Sequence, residues 1–322
     1  MITLAGITKI YNGIKAVNNI SLTVSEGETM ILLGTSGCGK TTTLKMINRL
    51  IEPDEGSICV DGKSIHLEKR EELRRKIGFV MQNTGLFPHY NVAENIAVVP
   101  KLLNWERSLI ERRTLTLLKK LHLPESSLPM FPHELSGGQQ QRVGLARALI
   151  SDPEVLLMDE PFGALDNVTR SSILAEFKAM EELKRKTIIM VTHDVSEAFE
   201  LADRICLMNQ GEIAQVGTPK ELLFKPANEF TRKFFDGERL ALEFKTVTIK
   251  DLWGYFTEIN SHHDQTAAPL GTNIWLAMER FSNDEDIRIQ SFRDDITGIV
   301  KSVSFEELTA AFYAYQKSAY HD

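Results

Sequence analysis

The sequence predicts an α/β fold built on a parallel sheet. Three apolar runs of strand length support this prediction, because stretches with helical periodicity separate them: Val155–Met158, Thr187–Val191 and Ile205–Met208. Strands that alternate with helices form parallel sheets with both faces covered, and such strands are apolar throughout. A fourth apolar run, Thr29–Leu33, leads into a glycine-rich segment and then a helical stretch.

The segments on either side of that sheet predict two smaller subdomains. Residues 1–85 contain short strands bounded by turn signals, including Ile20–Val24 and Gly56–Val60, which predict an antiparallel β subdomain. Residues from about 86 to 150 change to a helical period, with apolar positions at Leu109, Ile110, Leu117, Leu118 and Leu121. We interpret this stripe as the core-facing side of an amphipathic helix rather than a membrane-surface helix.

The composition limits the partners and the compartment. The 322 residues carry a net charge of −7 and have a pI of about 5.7, which argues against a nucleic-acid partner, since duplex binders carry a basic face. No apolar run approaches the roughly 20 residues that cross a bilayer, and the first residues lack a signal-peptide pattern. The three cysteines, Cys38, Cys59 and Cys206, have no metal-ligand spacing, which fits a reducing cytosol.

The glycine-rich segment matches the phosphate-binding pattern G-x-x-x-x-G-K-[ST]. Glycines let the backbone curl so that its N–H groups point inward, and the following helix adds its positive N-terminal end. We therefore expect ATP and Mg²⁺ here, with Lys40 on the β- and γ-phosphates and Thr41 as a magnesium ligand. We interpret Cys38 as a small filler rather than a redox switch or nucleophile. The expected phosphate-binding residues are Gly34, Thr35, Ser36, Gly37, Cys38, Gly39, Lys40, Thr41 and Thr42.

A second acidic pattern ends the apolar run Val155–Met158. Asp159 and Glu160 follow it directly. A buried strand that delivers Asp159 beside the phosphate loop provides a magnesium ligand, and Glu160 is then placed to polarise the attacking water. An exposed acidic turn is the alternative for an isolated Asp-Glu pair, but its combination with the phosphate loop favours the catalytic interpretation.

The string Leu135-Ser136-Gly137-Gly138-Gln139 opens a helical segment, and with it the chain resembles the ABC ATPase family. The resemblance covers residues 1 to about 235 and implies a P-loop ABC ATPase fold with antiparallel β, helical and small α/β C-terminal parts. It implies that Tyr11 stacks on adenine, that Gln82 is a catalytic and magnesium-binding glutamine, and that His193 is the catalytic switch histidine. It also implies that Asp166, within Gly163–Asp166, lies at the nucleotide.

The resemblance further implies a homodimer. In the family, two ATP molecules lie between two copies of the chain. Each site then takes Ser136, Gly138 and Gln139 from the partner, so that ATP joins the two chains and hydrolysis loosens them.

Two longer segments, Val80–Pro100 and Pro132–Leu149, resemble the ATPases of osmoprotectant importers for glycine betaine, carnitine and choline. This implies a peripheral subunit at the cytoplasmic face of the membrane that drives uptake of a small zwitterionic or cationic solute. A separate permease would dock near Gln82–Tyr90, with Phe87, Pro88 and His89 as contacts, and an extracytoplasmic solute-binding protein would act indirectly. A methionine-type importer and a non-transport ABC ATPase are the alternatives, and a turn packed in the core is the alternative for the docking segment.

The composition changes at Phe235-Asp236-Gly237-Glu238, which predicts an ATPase domain over residues 1–236 and a smaller domain over 237–322. Within the latter, Thr272–Phe312 resembles one CBS repeat, with a helix from Ile274, a strand over Ile287–Phe292 and a terminal helix. Thr246–Phe256 resembles a remnant of another. We expect this domain to hold a dimer together rather than to sense a nucleotide, since Asp294 and Asp295 would oppose phosphate.

Overall fold

The computed structural model describes residues 1–82, 85–163, 165, 167–256, 267–283 and 289–320. Their contacts divide the chain into two compact units, Met1–Val216 and Gly217–Asp322. Within the described residues, no helix has the length and apolar character needed to cross a membrane.

The first unit contains the strands and helices that the sequence predicts, with ends that differ by a few residues. Its elements are β1 (Ile2–Tyr11), β2 (Ile14–Val24), β3 (Thr29–Gly34), α1 (Lys40–Ile47), β4 (Glu55–Val60), β5 (Lys63–Ser64), α2 (Arg70–Lys76), β6 (Ile77–Val80), α3 (Val92–Ile96), α4 (Val98–Leu102), α5 (Arg107–Lys120), α6 (Gly137–Leu149), β7 (Val155–Asp159), α7 (Asn167–Ala179), β8 (Thr187–Val191), α8 (Val195–Leu201), β9 (Arg204–Asn209) and β10 (Glu212–Gly217).

Two sheets organise these elements. The larger has the order β10-β9-β3-β8-β7-β6, and the pairs from β9 to β6 are parallel. The smaller has the order β2-β1-β4-β5, and its pairs are antiparallel. Every residue of β7 and β8 is buried, as expected for central strands covered on both faces. The predicted parallel sheet and antiparallel subdomain are therefore confirmed.

The helical region between β6 and β7 is also confirmed. On α5 the buried residues include Ile110, Leu117 and Leu118, and Leu121 follows the helix in a buried position. The apolar stripe therefore faces the protein interior, as its period predicts. Leu109, at the edge of the stripe, is only half-buried.

The second unit has its own small sheet. Its elements are α9 (Pro219–Phe224), α10 (Glu229–Phe234), α11 (Arg239–Thr246), α12 (Ile249–Leu252), β11 (Ala268–Pro269), α13 (Ile274–Asn283), β12 (Ile289–Arg293), β13 (Val300–Ser304) and α14 (Phe305–Ala319). Strand β12 pairs parallel with β11 and antiparallel with β13. The expected helix, strand and terminal helix are present, whereas Ile287, the expected start of the strand, lies outside the described residues.

The unit boundary at Gly217 precedes the composition change at residues 235–238. Arg239 of α11 explains the difference, because it reaches back to both preceding helical segments. Its guanidinium donates to the Leu223 carbonyl at 2.9 Å and to the Arg232 carbonyl at 2.6 Å. These bonds tie α9 and α10 to α11, so residues 217–236 belong with the second unit.

Candidate functional site

The carboxyl ends of four neighbouring parallel strands carry the predicted site residues. The glycine-rich loop follows β3, and His193 follows β8. Asp159 ends β7 with Glu160 directly after it, and Gln82 follows β6. Because these strands are adjacent in the order β3-β8-β7-β6, the four segments meet at one edge of the sheet.

The phosphate loop is a backbone cradle that requires glycine at two positions. Gly34 has a φ of 150°, and a Cβ there would lie 2.2 Å from the Met208 carbonyl oxygen. Gly39, the N-cap of α1, has a φ of 105°, and its Cβ would lie 2.5 Å from the Ala16 carbonyl oxygen. Only glycine lets the loop pack this closely between β9 and β2.

Lys40 places a positive charge inside this cradle. Its ammonium donates to the Gly34 carbonyl at 2.8 Å and to the Thr35 carbonyl at 2.9 Å, and it lies 3.7 Å from the Cys38 sulfur. The side chain is buried, whereas the loop tip at Thr35, Ser36 and Gly37 is exposed. A buried ammonium beside an exposed turn of backbone fits an anionic phosphate chain arriving from solvent.

Thr41 and Asp159 form the adjacent polar pair. The Thr41 hydroxyl donates to Asp159 Oδ1 at 2.8 Å. Burial raises the pKa of the Asp159 carboxyl, against the opposing effect of the Thr41 hydrogen bond. Hydroxyl and carboxylate oxygens are the ligands that Mg²⁺ prefers, and the described residues contain no cluster of three or more His, Cys, Asp or Glu able to hold a metal alone. This donor pair fits a magnesium ion that takes its other ligands from nucleotide and water.

The Glu160 carboxylate is held between two other predicted residues. Gln82 Nε2 donates to Glu160 Oε2 at 2.9 Å, and His193 Nδ1 lies 3.2 Å from the same oxygen. Glu160 has a φ of 46°, an uncommon value for a residue with a side chain, while its backbone N–H donates to the Val191 carbonyl at 2.9 Å. Backbone strain of this kind concentrates at functional sites. Here it accompanies the turn of the Glu160 side chain away from the strand and toward Gln82 and His193.

The Leu135–Gln139 string forms a capped helix start. Ser136 is the N-cap of α6, and the N–H of Gln139 donates to its hydroxyl at 3.3 Å. The side chain of Gln139 in turn accepts from the Ser136 N–H at 2.9 Å. This reciprocal capping box fixes the glycines Gly137 and Gly138 at the positive end of α6. Closure of this end over a partner's phosphate remains a prediction.

The remaining predicted nucleotide residues have separate outcomes. The Tyr11 ring is 44% exposed at the end of β1, with the Lys9 ammonium 5.5 Å from its centroid, so a base can reach it. The Cys38 side chain is buried and in the free thiol form. Asp166 lies outside the described residues.

The predicted permease-docking segment is an exposed aromatic cluster on a buried anchor. The Phe87 and Tyr90 ring centroids are 5.4 Å apart, and those of His89 and Tyr90 are 4.6 Å apart. Asn95 of α3 is fully buried and holds the segment from beneath. It accepts from the Phe87 N–H at 2.8 Å and donates to the Tyr90 carbonyl at 2.9 Å.

Sequence reasoning missed the residues that support these segments. Asn95 interrupts an apolar helical stretch, and a polar residue at a core position is the signal that identifies it. Arg170 of α7 contacts the segment that contains His193, but no motif pointed to it. Asp194 and Glu197 have the spacing of a helix-capping pair, and the N–H of Glu197 does donate to Asp194 Oδ1 at 3.0 Å.

Comparison with known proteins assigns a family to this geometry. Residues 17–163 match the family model described as ABC transporter. The glycine betaine/carnitine/choline transport ATP-binding protein OpuCA of Bacillus subtilis is 53% identical over 241 residues, which cover 74% of this chain and 63% of that protein. The choline transport ATP-binding protein OpuBA of the same organism is 52% identical, and the chain again covers 63% of its length. The chain thus spans less than two thirds of these two relatives.

A shorter relative and a solved structure are covered more fully. The glycine betaine uptake system ATP-binding protein YehX of Escherichia coli is 49% identical over 247 residues, which cover 77% of this chain and 80% of that protein. The dimeric structure of MJ0796, a bacterial ABC transporter cassette, matches with a TM-score of 0.62 and 36% identity over 68% of this chain and 98% of that chain. With this identity and coverage, and with the predicted motifs gathered at one sheet edge, the chain belongs to the ATP-binding proteins of ABC transporters.

Proposed function

We propose that this chain hydrolyses ATP in order to drive a separate membrane permease. The observation that carries the proposal is the arrangement of two neighbouring carboxylates with different surroundings. Asp159 is buried against the Thr41 hydroxyl, whereas Glu160 contacts Gln82 and His193. One carboxylate suits a magnesium ion, and the other suits a water molecule.

The roles of the side chains follow from these contacts. Glu160 would orient the attacking water and accept its proton, while Gln82 and His193 hold the Glu160 carboxylate in place. Lys40 and the backbone N–H groups of the loop would bind the phosphates, and the Tyr11 ring would stack on adenine. Thr41, Asp159 and Gln82 would hold Mg²⁺, which neutralises phosphate charge when it is bound.

We further propose that two copies of the chain enclose two nucleotides. The capped α6 end at Ser136 supports this proposal, because its exposed N-terminus suits a phosphate. A matching solved structure is described as a dimeric post-hydrolysis state of the cassette MJ0796 bound to ADP and Pi. In such a dimer Ser136, Gly138 and Gln139 would complete the partner's site, and Asp166 would lie near the same nucleotide.

For the transported solute, we propose a small quaternary amine such as a betaine. The relatives named for glycine betaine, choline and carnitine support this class over a methionine-type importer. The exposed ring cluster of Phe87, His89 and Tyr90 would receive the permease, which would place the chain peripherally at the cytoplasmic face of the membrane. An extracytoplasmic solute-binding protein would deliver the solute. Transport by the chain reconstituted with its permease and binding protein, screened over candidate solutes, tests the class directly.

We propose that the second unit holds two chains together when nucleotide is absent. Its helix–strand–strand–helix order from α13 to α14 supports this proposal, because it matches one CBS-like unit, and such units pack in pairs. The full chain should therefore be dimeric without nucleotide in sedimentation experiments. A chain truncated after Gly217 should be monomeric, and a truncated chain that stays dimeric would contradict the proposal.

Substitution of Glu160 tests the hydrolytic proposal. Glu160→Gln should leave ATP binding intact and lower the single-turnover hydrolysis rate by about 100-fold or more, since the proton acceptor is removed. It should also accumulate an ATP-bound dimer in size-exclusion chromatography. Glu154→Gln, at the opposite end of β7, is the matched control and should retain normal turnover. Normal turnover of Glu160→Gln would exclude Glu160 as the residue that activates water.

A further inference from the structure

The segment around His193 is held from both sides by buried polar contacts. The Thr192 hydroxyl donates to Glu197 Oε2 at 2.6 Å and accepts from the Asp194 N–H at 3.0 Å. Asp194 also caps α8 by accepting from the Glu197 N–H. The residues immediately before and after His193 are thus fixed, while the His193 side chain itself is 60% exposed.

Arg170 of α7 connects this network to a second segment. Its Nη1 donates to Asp194 Oδ2 at 2.9 Å, and its Nε lies 3.6 Å from Glu197 Oε1. Its Nη2 donates to the Leu165 carbonyl at 3.0 Å. The planar fork of a guanidinium donates to two acceptors here and holds its charge beside the Glu197 carboxylate, which a lysine ammonium on a flexible stem does not reproduce.

The position of Leu165 gives this connection its significance. Leu165 directly precedes Asp166, the residue expected at the nucleotide, and Asp194 directly follows His193. One side chain therefore links the Leu165 carbonyl, next to Asp166 in the chain, with the Asp194 carboxylate, next to His193. We propose, on the basis of the proposed ATPase function, that Arg170 is the positioning residue that sets the His193 imidazole against the Glu160 carboxylate.

The charges around Arg170 are consistent with this role. Glu197 is almost fully buried, and burial raises the pKa of its carboxyl, whereas the Arg170 charge opposes that rise. A buried carboxylate that loses its cation is costly, so the network favours one arrangement of the segment over looser alternatives. Arg170 thereby fixes the segment that contains His193. Its effect on Glu160 is indirect, through the position of the His193 imidazole.

Arg142 of α6 offers a matched control, because it contacts the same helix, α7, from the outside of the His193 network. It also anchors α7, because its guanidinium lies 3.3 Å from Glu176, and its side chain is 19% exposed compared with 21% for Arg170. Arg142→Ala should therefore loosen α7 to a similar degree while leaving the residues around His193 in place. Unfolding midpoints of both variants, measured by thermal denaturation, establish whether their stability losses match.

The experiment compares kcat and KM for magnesium ATP in full-length variants. Arg170→Gln should lower kcat by about 10- to 100-fold and leave the KM within about two-fold, since only an orienting contact is lost. Arg170→Lys should recover part of the kcat, because charge is retained but the fork is not. Arg142→Ala should keep a kcat within about two-fold of the unmodified chain. Equal kcat losses in Arg170→Gln and Arg142→Ala would overturn the proposal.

A double-variant cycle separates positioning from general destabilisation. In a His193→Ala background, Arg170→Gln should cause little further loss of single-turnover rate, because its effect acts through the imidazole. Fully additive losses would overturn the proposal.

If Glu160→Gln is inactive while Arg170→Gln turns over normally, the positioning role fails and the ATPase proposal stands. Normal turnover of Glu160→Gln would reject the ATPase proposal itself.

Discussion

Lys40 in the first unit and Lys301 in the second are both buried lysines that donate to two backbone carbonyls. Lys40 bonds to Gly34 and Thr35 at 2.8 and 2.9 Å, and Lys301 bonds to Trp253 and Phe256 at 3.0 and 2.9 Å. The carbonyls around Lys40 belong to its own loop, whereas those around Lys301 are 45 and 48 residues away in the chain. The Trp253 ring also lies 4.8 Å from the Lys301 ammonium.

This difference in partners distinguishes Lys40, which is placed to bind a ligand, from Lys301, which stabilises the fold. Lys40 stands beside an exposed loop tip, so an incoming phosphate can replace its local carbonyl partners. Lys301 is surrounded by partners that no ligand needs to replace, and it ties β13 to the turn after α12. Glu243 of the second unit follows the same rule, since it accepts from Gln316 at 2.6 Å and from the Tyr320 hydroxyl. In the second unit, these buried polar groups hold helices and strands together.

The largest expected effect is on nucleotide affinity in the first unit. Lys40→Ala should weaken ATP binding by about 100-fold or more, because a charge-assisted contact to the phosphates is lost. Its unfolding free energy without nucleotide should fall by less than that of Lys301→Ala, since Thr35 is exposed and its carbonyl can bind water once the ammonium is gone. Titration with a fluorescent ATP analogue measures the affinity. Unchanged affinity would contradict the assignment of the phosphate loop.

Mixing two inactive variants sharpens the comparison further. It tests whether residues of the first unit in one chain complete the nucleotide site of a second chain. Lys40→Ala and Ser136→Arg homodimers should each lack an intact site, whereas a mixed dimer should contain one. Mixing the two variants should therefore restore a readily measurable fraction of the ATPase rate, up to about a quarter of normal if the chains mix randomly. No recovery on mixing would count against composite sites that turn over singly, and crosslinking Ser136 to the partner loop would then test the contact itself.

Lys301→Ala should show the opposite behaviour to Lys40→Ala. Loss of the ammonium removes the donor from one buried and one part-buried carbonyl and the contact with the Trp253 ring, which costs about 3 kcal/mol of unfolding free energy. ATP affinity should stay within about two-fold of the unmodified chain. Urea denaturation followed by tryptophan fluorescence measures the stability, with Lys317→Ala, an exposed position on α14, as the control. A large loss of affinity with unchanged stability would remove the distinction between the two lysines.

The sequence predicted the first unit well because its motifs are local. Gly34–Thr41, Asp159-Glu160 and His193 each sit at the end of an apolar strand, so strand order alone brings them together. Lys301 and Arg170 were beyond such reasoning, since their partners are set by tertiary packing rather than by spacing. The left-handed backbone at Glu160 was likewise unpredictable, because glutamate gives no local signal for it. The bonds of Arg239 that tie α9 and α10 to α11 likewise have no signal in the sequence.

The smallest expected effect concerns the pH dependence of stability, and it tests the buried carboxylate of the first unit. Burial raises the pKa of Glu197 above its ordinary value of 4.5. Between that value and the raised one, the folded chain binds more protons than the unfolded chain, so stability falls as pH rises through this window and is constant above it. Glu197→Gln removes the titration. The unfolding free energy of the variant minus that of the unmodified chain should therefore increase with pH from 4.5 upward, by at most about 1.4 kcal/mol per pH unit.

Chemical denaturation at a series of pH values measures this slope. The control is Glu154→Gln, which replaces an exposed carboxylate and should show no comparable slope. A difference that decreases as pH rises would mean that Arg170 and the Thr192 hydroxyl outweigh burial at Glu197.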